Sequence, residues 1–424
     1  MSSTNNCMVM PVDSTKTMST TQVSFYSFLL LTFILIGRPQ EVFPVLQSLR
    51  PALAFTLINV ILVNPLKAMF EQSLSKKYLA FYLIMLLGIP FALYRRAAFE
   101  FAIFQYAVNM IYFGLLITHV DSYKRARDLV FILVSSICFF GVASLVLGTM
   151  SEERFTFGST YDPNDLAYLF VSLIPFTVLF FSENEKLPVK GFAAATGIIS
   201  LLVILLTGSR GGLISLATIL MLFLFTRMIP VKRSIKVMVL IGIIIFAAAN
   251  KDKIFTERYS SILSLEQDYN ATDELGRLQL WKKGIEFTLT RPLLGVGAQC
   301  FPTAIGMERR HRHVIERWQV VHNSYLQISS ELGLIAFIIF VLMIKETLQV
   351  FRRARHRASD QIKINNIQRL AGVTEISFIS HCIAAFFLTQ GYSILFTSFF
   401  ALAASYSNLI EGIIILPTSK FNIG

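Results

Sequence analysis

Long apolar segments follow one another along almost the whole of this 424-residue chain, and one long polar stretch, residues 251–322, interrupts them. An α-helix needs about 20 mostly apolar residues to cross a bilayer, so these segments are candidate membrane spans. They centre on residues 24–36, 51–63, 78–94, 99–120, 129–149, 165–182, 190–206, 213–229, 237–249, 324–344, 372–389 and 392–410. Hydrophobic residues make up 54% of the chain and charged residues only 15%, which is unusual for a soluble domain. The pattern predicts an all-α polytopic membrane protein with about twelve transmembrane helices.

Positive charge concentrates in the short loops on one side of the predicted bundle. These loops contain Lys67, Lys76, Lys77, Lys124, Arg125, Arg127, Lys186, Lys190, Lys232, Arg233, Lys236, Arg352, Arg353, Arg355, Arg357, Lys363 and Arg369, whereas Arg95 and Arg96 fall on the other side. By the positive-inside rule the richer side is cytoplasmic. We therefore expect both termini in the cytoplasm and the 251–322 loop on the outer face of the membrane.

The predicted organisation has five parts. Residues 1–22 form a disordered cytoplasmic tail, residues 23–250 hold transmembrane helices 1–9, and residues 251–322 form the outer loop in which we expect the chemistry. Residues 323–411 hold transmembrane helices 10–12, and residues 412–424 form a C-terminal tail.

Several kinds of site are not indicated by the sequence. The four cysteines are scattered and form no CxxC pattern, and no GxxxxGK[ST] phosphate loop occurs. The cytoplasmic loops are too short for a nucleotide-binding α/β unit of about 30 residues or more. His311 and His313 have no firm carboxylate or cysteine partner in sequence, so they make a poor metal site. We expect no cofactor, no metal and no nucleic-acid partner.

The polar loop contains a predicted amphipathic helix. Thr272 is a plausible N-cap, and apolar residues at spacings of three and four follow it. These residues are Leu275, Leu278, Trp281, Ile285 and Leu289. Arg291-Pro292 should end the helix, and Gly295-Val296-Gly297 is more typical of a turn than of a dinucleotide site.

Arg210 stands in the sequence Thr207-Gly208-Ser209-Arg210-Gly211-Gly212, between two apolar segments and without an acidic neighbour. Because a guanidinium near the membrane is costly, we expect an anionic partner, and its planar fork suits phosphate. The alternative is an arginine that only anchors a helix hairpin among lipid headgroups.

His322 precedes the tenth apolar run and should lie at the same interface as Arg210. A neutral imidazole there could accept a proton from a hydroxyl, although a lone histidine is more often a packed hydrogen-bonding residue. Arg277 lies one helical turn before Trp281, so it is either a substrate contact or an exposed arginine stacked on the indole. Arg309, Arg310 and Arg312 belong to a cationic patch that suits a phosphorylated lipid or is simply solvated.

Several motifs together resemble the O-antigen ligase family, within a superfamily that includes O-antigen polymerases and protein O-oligosaccharyltransferases. The motifs are the segment 162–167 (DPNDLA), the segment 207–212 (TGSRGG), Arg277 four residues before Trp281, the segment 292–297 (PLLGVG), the segment 322–326 (HNSYL) and the segment 331–333 (ELG). The motif-bearing resemblance covers residues 160–345.

The resemblance implies a glycosyltransferase of the bacterial inner membrane whose 251–322 loop lies in the periplasm. It also implies that the enzyme works without a metal or nucleotide and moves a glycan from undecaprenyl pyrophosphate to a sugar hydroxyl of lipid A-core. It implies that Arg210, Arg277 and His322 are the functional residues. Around them we predict substrate contacts from Ser209, Asn323, Tyr325, Trp281, Asp162, Asn164, Arg309, Arg310 and Arg312. Membrane lipids are further expected partners, and the sequence predicts no oligomeric state.

Two other functions stay open. A polymerase of the same superfamily would use the same donor and differ mainly in its acceptor. A transporter would need coupled charges within the membrane, for which Glu375 and His381 are candidates, but their spacing of six puts them on different helix faces.

Overall fold

The computed structural model describes residues 20–66, 68–151, 154–158, 162–181, 185–226, 236–237, 241–242, 276–315, 317–356 and 362–415. The first half contains helices α1 (Thr20–Gly37), α2 (Pro39–Val42), α3 (Val45–Leu49), α4 (Pro51–Leu62), α5 (Ala68–Glu71), α6 (Ser73–Gly88), α7 (Arg95–Glu100), α8 (Ala107–His119) and α9 (Tyr123–Leu147). An antiparallel hairpin of β1 (Thr149–Ser151) and β2 (Arg154–Thr156) follows, and then α10 (Pro163–Leu173), α11 (Leu187–Leu206) and α12 (Arg210–Phe225). The last part contains α13 (Arg277–Thr290), α14 (Phe301–His311), α15 (Ser324–His356), α16 (Ile362–Ala385) and α17 (Ile394–Ile415).

Short irregular turns extend three of these helices. A 3-10 turn at Ile89–Phe91 follows α6, a π-helical segment at Phe101–Tyr106 joins α7 to α8, and a 3-10 segment at Ile174–Phe181 continues α10. A proline lies in the first and the last of these segments, where the lost backbone donor favours departure from the α-helix.

The predicted all-α membrane architecture is confirmed. Within the described ranges seven helical stretches are long and apolar enough to cross a bilayer: Val45–Leu62, Ser73–Phe91, Arg95–His119, Tyr123–Leu147, Pro163–Phe181, Leu187–Leu206 and Ser324–His356. Shorter apolar helices occupy Gln22–Gly37, Arg210–Phe225 and Ile394–Leu409. The ninth predicted run, residues 237–249, lies almost entirely outside the described residues. The number of twelve crossings therefore stays a prediction.

The core of the bundle lies around α15, which packs against α6, α16 and α17. Aromatic rings fill the space between these helices, with Phe340 and Phe396 at a centroid distance of 5.0 Å and Phe396 stacked on Phe400 at 5.7 Å. Large aromatic side chains bury much apolar area each, which suits a bundle whose helices leave wide gaps.

The two charged candidates for a transport mechanism have structural partners. Glu375 is buried and accepts hydrogen bonds from Arg352 and Arg355 at 3.0 and 2.7 Å. His381 is buried between Tyr168 and Ser172, whose hydroxyl groups lie 3.0 and 2.9 Å from its two ring nitrogens. Buried polar groups need such partners, so both residues serve helix packing.

The loop helix differs from the sequence prediction in its start and its orientation. It begins at Arg277 with Gly276 as N-cap, and not after Thr272, which lies outside the described residues. Much of the predicted apolar face points outward, because Leu278 is 48% and Leu289 is 70% exposed, whereas Trp281 of the same face packs against Phe386. The face that packs on α15 holds Leu280, Gly284 and Thr288, where small side chains let the two helices approach closely.

Backbone hydrogen bonds join two of the sequence motifs. The amides of Val296 and Gly297 donate to the carbonyls of Ser330 and Glu331 at 2.8 and 2.9 Å, and the amide of Leu334 donates to the carbonyl of Pro292 at 2.7 Å. Gly333 breaks α15 with φ 84°, and a Cβ there would lie 2.5 Å from the backbone of Leu293. The PLLGVG and ELG segments are therefore a structural joint, for which glycine is required.

Candidate functional site

The hinge around Arg210 is formed as the sequence predicts. Helix α11 ends at Leu206, Gly208 adopts a left-handed conformation with φ 62°, and Ser209 caps α12 by accepting from the amide of Gly212 at 3.2 Å. Arg210 is the first residue of α12 and is half-buried.

The two glycines after Arg210 serve helix packing. A Cβ on Gly211 would lie 2.9 Å from the side chain of Phe387, and one on Gly212 would lie 2.8 Å from Cβ of Ala167. Both distances are shorter than real Cβ contacts, so α12 touches α10 and the turn that follows α16 through bare backbone at this point.

The segment 162–167 begins α10 beside the hinge. Asp162 caps the helix, since its carboxylate accepts from the amides of Asn164 and Asp165 at 2.7 and 2.8 Å. The side-chain oxygen of Asn164 accepts a hydrogen bond of 2.8 Å from Arg154, and Nε of Arg154 lies 3.4 Å from the carbonyl of Thr207. Arg154 therefore joins the start of α10 to the hinge. Sequence reasoning missed it, because a single arginine in a short hairpin carries no motif.

Arg277 is the first residue of α13 and is half-buried. The ring of Trp281 packs edge-on against Phe386 at a centroid distance of 5.3 Å. Among the described residues no cation–π contact joins Arg277 to this indole, so the predicted stacking is not found. The indole nitrogen is buried and has no hydrogen-bond partner in the described part of the chain.

His322 lies two residues before α15 in a left-handed conformation with φ 52°, and its amide donates to the Thr389 hydroxyl at 2.8 Å. Burial and the nearby charge of Arg277 lower the pKa of His322 to about 4, while Asp162 acts in the opposite direction. Desolvation and a neighbouring cation both disfavour imidazolium. The imidazole is therefore neutral at neutral pH, as a proton acceptor must be.

A narrow cleft brings several predicted residues together. Its walls are Asn164, Tyr168, Ser209, Gly211, Gly212, Arg277, Ala384, Phe387 and Leu388. His322 lies beside it, because its amide donates to the hydroxyl of Thr389, the residue after the wall residue Leu388. Helices α10, α12 and α13 start at this cleft and α15 starts beside it, so four positive helix ends meet in one place. Such an arrangement favours an anionic ligand.

Two predicted contact residues have internal hydrogen-bond partners. The side-chain oxygen of Asn323 accepts from the amides of Tyr325 and Leu326 at 2.9 and 3.0 Å, so it caps α15. The hydroxyl of Tyr325 donates to the carbonyl of Cys382 at 2.8 Å.

The arginines of the cationic patch lie apart from the cleft walls. Arg309 and Arg310 belong to the last turn of α14, and Arg312 follows that turn. None of the three lines the cleft, and Arg310 and Arg312 are exposed. Nε of Arg309 donates to the carbonyl of Ile315 at 2.8 Å, which holds the following loop against the helix.

A larger apolar groove lies further along the same helices. It has about 950 Å³ of empty space and is lined by Ile174, Pro175, Thr177, Val178, Phe181, Ala193, Ala194, Gly197, Ile198, Leu201, Leu216, Ile219, Leu220, Phe223 and Ile376. Gly212, Leu216, Ile219 and Phe223 recur at spacings of four and three, so one face of α12 leads from the cleft into this groove.

Across the described ranges, no three His, Cys, Asp or Glu side chains come together in a group that could hold a metal ion. The polar groups at or beside the cleft are the guanidinium of Arg277, the imidazole of His322, the carboxylate of Asp162, hydroxyl and amide groups, and helix N-termini. Arg210 lies in the hinge, between the wall residues Ser209 and Gly211.

The fold is that of a multi-pass α-helical membrane protein. Residues 195–341 match the family model described as O-Antigen ligase, which confirms the resemblance drawn from the motifs. A protein of Haemophilus influenzae, described only as uncharacterized, is 26% identical over 239 residues. The alignment covers 50% of this chain and 58% of that relative. The family match supports a glycosyltransferase-like activity.

Proposed function

We propose that this protein is an O-antigen ligase, which transfers a glycan from undecaprenyl pyrophosphate to a sugar hydroxyl of lipid A-core on the periplasmic face of the inner membrane. The observation that carries the proposal is the cleft at which Arg277, the Arg210 hinge and four helix N-termini meet beside the neutral imidazole of His322. This arrangement fits a substrate that combines a pyrophosphate with a nucleophilic hydroxyl.

The proposed reaction is a displacement at the anomeric carbon of the donor. The acceptor oxygen forms a bond to this carbon while the bond to the pyrophosphate oxygen breaks, and the leaving undecaprenyl pyrophosphate keeps the electron pair. His322 accepts the proton of the acceptor hydroxyl, and Arg210 and Arg277 stabilise the charge that accumulates on the pyrophosphate. Attack from the opposite side inverts the anomeric configuration. No step of this scheme needs a divalent metal or a nucleotide.

The apolar groove fits the lipid part of the donor. Its lining is almost entirely aliphatic and aromatic, and it follows α12 away from Gly212. A polyprenyl chain bound there would bring its pyrophosphate to the start of α12, where the hinge and Arg277 lie. The acceptor would bind on the side of α14, where the exposed Arg310 and Arg312 suit the phosphates of lipid A-core.

An O-antigen or exopolysaccharide polymerase is the second candidate, because it would use the same donor and the same cleft. The basic end of α14 favours the ligase, since a phosphorylated acceptor is expected to meet a cationic surface and a neutral repeat unit is not. A transporter is disfavoured, since Glu375 and His381 have packing partners.

Lipopolysaccharide from a deletion strain distinguishes these functions. We expect rough lipopolysaccharide together with long polymer that remains on the lipid carrier, and restoration by the wild-type gene but not by His322→Ala. Lipid A-core that carries one repeat unit would contradict the ligase and indicate a polymerase. Glycan retained on the cytoplasmic face would indicate a transporter.

A further inference from the structure

An apolar stripe on α13 faces away from the protein. Leu278, Ile285 and Leu289 lie on one side of the helix and are 48, 50 and 70% exposed, and Leu293 in the following turn is 67% exposed. Exposed apolar side chains occur singly on most proteins, but three on one side of an amphipathic helix and a fourth in the turn that follows indicate an interaction surface.

Helix α13 runs alongside the start of α15 in the same direction. A Cβ on Gly284 would lie 3.3 Å from Leu326, and the hydroxyl groups of Thr288 and Ser329 are 2.9 Å apart. The carbonyl of Pro292 accepts from the amide of Leu334 at 2.7 Å. The two helices therefore stay in contact from Gly284 to Pro292, and both run toward the apolar part of α15.

The stripe lies next to an exposed apolar side of α15. Directly after the joint between Leu293 and Gly333, the exposed residues of α15 are apolar: Leu334, Ile335, Ile338, Val341 and Leu342. This helix is one of the stretches long and apolar enough to cross a bilayer. One unbroken apolar surface therefore extends from the membrane-spanning part of α15 onto α13.

The rest of the exposed surface of α13 is polar, with Glu286 and Thr290 beside the stripe and Lys282 at its edge. A long lysine side chain can lie along an apolar surface and keep its ammonium among headgroups. Helix α13 therefore has three sides: one packs on α15, one is apolar and exposed, and one is polar and exposed. This is the pattern of a helix that lies at a membrane surface.

We propose that the outward stripe of α13 is inserted in the bilayer interface, with Ile285, Leu289 and Leu293 among the acyl chains of phospholipids. The partner is an anionic glycerophospholipid surface, which the exposed Lys282 and Arg291 complement. The insertion fixes the depth of the N-terminal end of α13, and hence that of Arg277, at the level of lipid headgroups. This inference concerns membrane contact alone, so it stands or falls independently of the proposed transfer reaction.

Spin labels test the inserted stripe. A label on Leu289→Cys is compared with one on Thr290→Cys, because both positions are exposed and adjacent but differ in the side they face. The full chain is reconstituted in nanodiscs of phosphatidylethanolamine and phosphatidylglycerol, and collisions with oxygen and with a water-soluble nickel chelate are measured. Unsubstituted protein labelled in parallel gives the signal of the native cysteines.

We expect the Leu289→Cys label to collide at least threefold more with oxygen, relative to the nickel chelate, than the Thr290→Cys label. Equal access of the chelate to both labels would overturn the proposal. Dipolar broadening between labels at Leu289→Cys, lost on dilution with unlabelled protein, would show that a second copy covers the stripe and would overturn it as well. Variants are compared at matched thermal stability. If the first pair fails to fold, labels on Ile285→Cys and Glu286→Cys give the same comparison at a second place on the helix.

Discussion

The pH dependence of transfer should follow the lowered pKa of His322. This pKa is about 4, compared with 6.5 for a free histidine. The difference corresponds to about 3 kcal/mol against the protonated form. A base works only when unprotonated, so activity is lost as the pH falls through its pKa. Between pH 7.5 and pH 5.5, kcat/KM should hardly change, whereas a base with an ordinary pKa would lose about nine-tenths of its activity.

Arg277→Gln should move the acid limb of the pH–rate profile, where activity falls at low pH, to higher pH. It removes one of the two causes that lower the pKa, while burial, the larger cause, remains. Residual activity of this variant should therefore fall at a higher pH than that of the wild type, but below pH 6.5. Asp162→Asn removes the charge that raises the pKa of His322 and keeps a side chain able to cap α10. The acid limb of this variant should therefore not move to higher pH.

The assay is a set of initial rates of glycan transfer by purified protein from pH 4.5 to 8. The profile of kcat/KM reports the free enzyme, and the profile of kcat reports the complex. Because the pyrophosphate is negatively charged and lies near His322 in our proposal, the limb of kcat should lie at higher pH than that of kcat/KM. A wild-type kcat/KM limb at pH 6.5 that Arg277→Gln leaves unchanged would refute the reasoning.

Three further variants test the cleft and its support. Arg210→Lys keeps the charge but loses the planar fork, so it should lower transfer about tenfold or more, whereas Arg312→Lys in the exposed patch should change it little, as measured at matched thermal stability. Arg154→Gln should loosen the connection from α10 to the hinge and raise KM for the lipid donor more than it lowers kcat; a selective loss of kcat would contradict a positioning role. Gly333→Ala should lower the free energy of unfolding by about 2 kcal/mol or more, because Gly333 has a positive φ and contacts Leu293. Gly191→Ala, with open space around it, should not lower it. Equal melting temperatures of the two variants would contradict the joint.

The membrane class and the hinge could be predicted from the sequence because each depends on a local pattern. Apolar length decides whether a helix can cross a bilayer, and Ser209 followed by Gly211 and Gly212 marks a helix start whatever lies around it. The combination of motifs around Arg210, Arg277 and His322 also indicated the family, which the match to residues 195–341 confirms.

The errors concern features that depend on distant contacts. Periodicity showed that the loop helix is amphipathic, but not which of its sides packs on the protein, because small residues such as Gly284 can form the contact as well as leucines can. Arg154 was missed because its importance comes from Asn164 and Thr207, which lie 10 and 53 residues away. Likewise, nothing in the sequence showed that the PLLGVG and ELG segments form one backbone joint.

The most direct test of the central claim is transfer by purified protein in the presence of EDTA, with undecaprenyl-pyrophosphate-linked glycan as donor and lipid A-core as acceptor. We predict a lipopolysaccharide product that requires His322, with a rate at least about a hundredfold lower for His322→Ala of matched thermal stability. Full activity of His322→Ala, or activity that EDTA abolishes and Mg²⁺ or Mn²⁺ restores, would contradict the arginine–histidine mechanism. Elongation of the donor glycan without transfer to lipid A-core would contradict the ligase itself.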